Sequence, residues 1–264
     1  MIKELEKKLS ATKPHYQDQE VVWLLAHIGD PDALVRDDIV YATFATALEK
    51  GSFTKAQFRF LVEQVLEKNL LFYRLEQGLP ATLTRTFTAL LCTLLIYADG
   101  ESPFYQGLMT EDERQQFFVA GVEYLTKEHD FTGYVEPYEW VHGFAHGGDF
   151  LRRCLLHPAF PEKDQGKALA AIAGVFQRLP EYFVTGEERR LAAAVYQPLL
   201  QGRLSQATVA TWLGQVEFSG NTLTDRLRLA CFENFLAAIY FHVVEQMELT
   251  PALQENLLVF LRDY

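Results

Sequence analysis

The chain has 264 residues, 49% of them apolar and 22% charged, a globular composition rather than a disordered one. Its 24 Lys and Arg stand against 35 Asp and Glu, a net charge of −11. So acidic a surface excludes a phosphate backbone or an anionic membrane as the expected partner, and no Lys/Arg cluster opposes this: neither nucleic acid nor membrane binding is expected.

The first ten residues, MIKELEKKLS, are charged and lack an apolar h-region, so they do not read as a signal peptide. Val21, Val22, Leu24, Leu25 and Ile28 mark an apolar helix that stops at Gly29-Asp30-Pro31. Leu34, Ile39, Tyr41, Phe44, Ala45 and Leu48 mark the next, closed by Lys50 and a C′ glycine at Gly51. Ser52 or Thr54 then caps a helix carrying Phe58, Leu61, Val62, Val65 and Leu66. Further helices are predicted over 82–98, 110–128, 138–157, 164–179, 187–201, 205–214, 222–246 and 250–262. Thr222 to Asp225 resembles a capping box with a short acid. No segment alternates over strand length, and the longest apolar run, residues 89–98, is well short of the ~20 residues that span a bilayer. Cys92, Cys154 and Cys231 are far apart, odd in number and set in apolar helical patterns, which predicts buried thiols in a reducing compartment and places the protein in the cytoplasm.

The reading is an all-α chain: one domain over 1–264, a right-handed stack of antiparallel helix pairs of the HEAT/ARM-like α-solenoid kind. Residues 30–36, DPDALVR, resemble the turn inside a HEAT repeat, where the Asp caps and the Arg reaches a carboxylate of the neighbouring repeat. GDPDALVRDD (29–38), RTFTALL (85–91), EHDFTGYV (128–135) and EWVHGFAHGGD (139–149) together resemble an uncharacterised bacterial family, domain of unknown function 2785. The positions that carry the resemblance are Arg36, Asp37, Glu128, Asp130, Gly133, Tyr134, Trp140, His142, His146 and Asp149. This chain has Thr132 where the family pattern implies an arginine. The resemblance covers most of the chain and implies a fold and a site, but no reaction.

Residues 139–153, EWVHGFAHGGDFLRR, differ from a packing helix. At ~100° per residue, Glu139, His142, His146, Asp149 and Arg153 share an arc of about 80°, with Trp140 and Phe144 on the opposite side. Gly143, Gly147 and Gly148 each cost the helix about 1 kcal/mol against Ala, which implies close approach of a backbone or a ligand.

Three readings of the stripe stay open. His142, His146 and Asp149 could ligate one divalent metal together with a group from another helix; the protease form is excluded because the residue after His142 is Gly143. Without a metal, Asp149 or Glu139 could orient a histidine as general base, with Arg153, Arg85 or Arg36 forking onto an anion. The third reading is a buried hydrogen-bond network or a ligand pocket without chemistry. The segment 128–134 leads into the stripe as a functional loop, in which Gly133 could simply supply a positive φ. The expected function is a binding protein without a cofactor. Its pocket of Glu139, Trp140, His142, His146, Asp149, Arg153, Asp130 and Arg85 holds a small molecule, peptide or protein segment. A hydrolase-type enzyme, metal-dependent or not, is the alternative.

Overall fold

Helix starts follow the capping groups in the sequence. The Thr54 hydroxyl accepts from Gln57 N at 3.1 Å while Gln57 Oε1 accepts from Thr54 N at 2.9 Å. Thr110 with Glu113 and Thr222 with Asp225 repeat the reciprocal pair, so the short acid completes the box predicted at 222. Each such cap is worth ~1 kcal/mol against Ala. Gly51 closes its helix at φ 65, a left-handed conformation that glycine adopts without steric cost.

The computed structural model describes residues 1–262. Its helices are α1 (Ile2–Leu9), α2 (Asp18–Ala26), α3 (Ala42–Lys50), α4 (Lys55–Glu67), α5 (Ala81–Glu101), α6 (Glu111–Lys127), α7 (Gly143–Leu156), α8 (Gln165–Gln177), α9 (Glu187–Leu200), α10 (Gln206–Leu213), α11 (Leu223–Val243) and α12 (Pro251–Leu261). A π-helical stretch, Leu34–Tyr41, runs straight into α3. Strands β1 (Tyr134–Val135) and β2 (Glu139–Trp140) pair antiparallel between α6 and α7, and form the only sheet among the described residues.

The helices pack in two layers. In one, α3, α5, α7, α9 and α11 lie each against the next; in the other, α4, α6, α8, α10 and α12 do the same. Consecutive helices alternate between the layers, and one cluster of buried apolar side chains extends from Leu5 to Leu257. By length and composition α5 could cross a membrane, yet 78% of its apolar window is buried inside the protein, as in a core helix. Cys92, Cys154 and Cys231 are buried and unpaired, as expected.

The helix predicted over 138–157 is corrected at its start: residues 139–140 are strand, and α7 begins only at Gly143. Tertiary bonds hold the extended form. The fully buried Arg36 donates from Nη2 to the carbonyls of Tyr138 (2.9 Å) and Trp140 (3.3 Å). The amides of Val141 and His142 both donate to Gly133 O. Arg36 therefore clamps a neighbouring ribbon by its carbonyls, rather than the neighbouring repeat's carboxylate that the HEAT-like turn implied, and its one ion pair is with the adjacent Asp37 at 2.7 Å.

Candidate functional site

α7 lies between α5 and α9, and its glycines permit the close packing. A Cβ on Gly147 would fall 2.6 and 2.7 Å from Tyr124 ring carbons, and one on Gly148 would fall 3.3 Å from the Leu191 backbone. The close approach expected from their helix cost is met by other helices. Gly133 does not have a positive φ; instead, a Cβ there would overlap Thr185 Oγ1 and Glu187 Oε1, so it seats the 128–135 loop on the start of α9.

The correction at 138–142 breaks up the predicted stripe. Glu139 and His142 take left-handed conformations, φ 59 and 50, at a cost of about 1–3 kcal/mol each. Glu139 is exposed on β2. Trp140, predicted on the side opposite the histidines, is 44% exposed and stacks on the His142 ring at 4.5 Å and 10°. His142 Nδ1 lies 3.1 Å from Glu187 Oε1, which also accepts from the Thr185 hydroxyl. Burial by itself would raise the Glu187 pKa, but these hydrogen bonds outweigh it and hold the carboxyl below its ordinary value. The other oxygen, Glu187 Oε2, is buried without a partner.

His146 is buried, with its ring 5.7 Å from that of His142 and Phe87 edge-on at 5.4 Å. The Thr86 hydroxyl donates its one proton to Val141 O at 2.8 Å, so the 2.8 Å contact to His146 Nδ1 requires the proton to be on that nitrogen. Burial, then the charges of Arg190, His142 and Arg36, push the His146 pKa well below its ordinary value, so the ring is neutral at pH 7.

Asp149 does not join the histidines. It accepts from Arg190 through both Nε (3.2 Å) and Nη2, and Arg152 lies 3.4 Å away. Arg153 lies over the Tyr97 ring at 4.5 Å and 3.7 Å from Glu101. Among the described residues no group of three His, Cys, Asp or Glu is placed to hold a metal ion, so the His142/His146/Asp149 triad does not form.

Arg85 is committed to structure. With both side chains fully buried, it donates to Glu128 from Nε (2.7 Å) and Nη2 (3.0 Å). It also donates to the carbonyls of Tyr73, Arg74 and Gln77 and to the Thr82 hydroxyl. Thr82 in turn donates to Asp130 Oδ2, and Thr132 N to Asp130 Oδ1. This network carries the 128–135 loop to the rim of a cavity of about 610 Å³, whose other wall is the segment 179–187. Asp130, Glu181 and Glu187 line it together with Phe131, Tyr134, Tyr182 and Phe183.

Asp130 alone of the predicted pocket residues faces this cavity; Asp149 and Arg153 line a different one, of about 560 Å³. Glu187, Thr185, Thr86, Arg152 and Arg190 were not anticipated. Glu187 stands 45 residues from His142 and opens a helix, where an acid is unremarkable.

Over 87 residues the chain is 29% identical to the ribosome biogenesis protein NOC1 of Chaetomium thermophilum, an alignment covering 33% of this chain and only 8% of that protein. No solved structure matches. Residues 71–241, which include Arg85, the 128–149 segment and Glu187 but not Arg36, match the family described as protein of unknown function (DUF2785), and the chain belongs to that family.

Proposed function

We propose that this chain is a HEAT-like helical-repeat binding protein and that its site is the cavity between the 128–135 and 179–187 segments. Its ligand is a small molecule or peptide segment bearing an organic cation. One observation carries this reading: three carboxylates and four aromatic rings line the cavity, and no Lys or Arg is among its lining residues. A cation there gains from charge and from ring faces together. The buried, unpartnered oxygen of Glu187 adds an acceptor in want of a donor. Three buried free cysteines support a cytoplasmic setting. The test is saturation-transfer NMR on the full chain with tyramine, agmatine and 4-hydroxyphenylacetate. The two amines are expected to bind wild type and to lose most of their signal in Glu187→Gln. Equal binding of the acid, or amines unaffected by the substitution, overturns the reading.

The Glu187–His142 pair supports a second reading, a hydrolase-type enzyme in which Glu187 orients His142 as general base. Ester or phosphoester turnover that vanishes in His142→Ala, with stability retained, would promote it over binding.

A further inference from the structure

The 560 Å³ cavity is unlike the rest of this acidic protein. It is formed by α3, α5, α7 and α9, and three guanidinium groups, Arg152, Arg153 and Arg190, line it against two carboxylates, Asp149 and Glu49. Asp149 serves both Arg190 and Arg152. Arg153 lies over the Tyr97 ring, and its one carboxylate contact is the long one to Glu101, which is itself about half-exposed. Arg152 Nε is buried with no partner, and burial followed by repulsion from Arg153 and Arg190 lowers the Arg152 pKa. For these three cations the one buried carboxylate is Asp149; Arg152 adds a 3.3 Å bond to Gln197 Oε1, and Arg190 and Arg153 are partly open to solvent. Such crowding raises the free energy of the empty site and is relieved by an entering anion. Tyr41 also lines the cavity; burial, then the Asp149 charge, raises its pKa, so its hydroxyl stays protonated as a neutral donor. Leu90, Leu94 and the Tyr97 ring supply an apolar wall.

We propose that this cavity binds a small organic phosphate, a phosphomonoester whose oxygens take forked hydrogen bonds from Arg152, Arg153 and Arg190 while its organic body lies on the Leu90–Tyr97 wall. A phosphomonoester dianion offers three oxygens to three forks, where a carboxylate offers two oxygens and one charge. The site is separate from the acidic cavity and does not depend on what binds there.

Isothermal titration of the full chain with phenyl phosphate, inorganic phosphate and benzoate tests it. The expected result is saturable 1:1 binding of phenyl phosphate, at least tenfold tighter than benzoate and tighter than inorganic phosphate. Arg153→Gln, which gives up the long contact to the half-exposed Glu101 and the stacking on Tyr97, should melt close to wild type and weaken phenyl phosphate at least tenfold; Arg153→Lys should restore part of the loss. Should Arg152→Gln fail to fold, the Arg153 pair still decides. Absence of saturable binding, benzoate as tight as phenyl phosphate, or Arg153→Gln binding like wild type each overturns the proposal. Inorganic phosphate binding as tightly as the ester overturns its organic part.

Discussion

Replacing Gly147 by alanine opposes two effects of known size. In an isolated helix the change is favourable by about 1 kcal/mol, because glycine surrenders more backbone freedom on folding. In this fold the new methyl would lie 2.6 and 2.7 Å from Tyr124 Cδ1 and Cε1 and 2.8 Å from Leu125 Cδ2. Ordinary carbon contacts are at about 3.5–4.0 Å, so the neighbours must retreat by about 1 Å. They have nowhere to go: Tyr124 is 1% exposed and Leu125 is fully buried. Overpacking of this kind costs about 1–3 kcal/mol, so the net loss is about 0–2 kcal/mol, a fall of up to roughly 8 °C in melting temperature for a chain this long. Gly166→Ala is the control, since nothing lies within 4 Å of the position its methyl would take, and it should gain about 0.4–1 kcal/mol. Paired thermal and urea melts of the two variants read the difference. A Gly147→Ala protein that gains stability as Gly166→Ala does would refute the seating of α7 on α6, and with it the placement of His146.

Three other outcomes follow from the same geometry. Glu128→Gln leaves Arg85 charged and buried without its anion, and urea melts should show a loss of about 3–5 kcal/mol, much of it recovered when both residues become well-packed apolar side chains. Arg36→Lys loses the Nη2 bonds to the Tyr138 and Trp140 carbonyls, should cost on the order of 1–3 kcal/mol, and should speed hydrogen exchange at Val141 and His142 ahead of the rest of the chain. His146 sets a pH dependence: its folded pKa lies well below that of the unfolded chain, so below about pH 6.5 the unfolded chain binds the extra proton. Stability should therefore fall with pH by up to about 1.4 kcal/mol per unit between about 6.5 and 5, and His146→Gln should flatten that slope.

What was legible in the sequence was local. The helices from 82 onward were readable because apolar period and caps such as Thr222–Asp225 act within a few residues. The glycine cost in α7 was readable for the same reason, and pointed correctly to close approach. The false start of that helix was not, because residues 138–142 satisfy the helical period while the bonds that keep them extended come from Arg36 and Gly133. Arg85 is named from the sequence as a fork for an anion, and only the fold reveals that Glu128 and three carbonyls consume its donors. Glu187 and Arg190 carry no periodic signal, since their partners His142 and Asp149 are on another helix or at its edge.

The most direct test of the binding account is a crystal structure grown with the amine that gives the strongest NMR signal. The account predicts its ammonium or guanidinium group within about 3 Å of Glu187 or Asp130, with its body between the aromatic rings of the 128–135 and 179–187 segments. Density for the amine elsewhere, or for the matching acid in that same cavity, would contradict it.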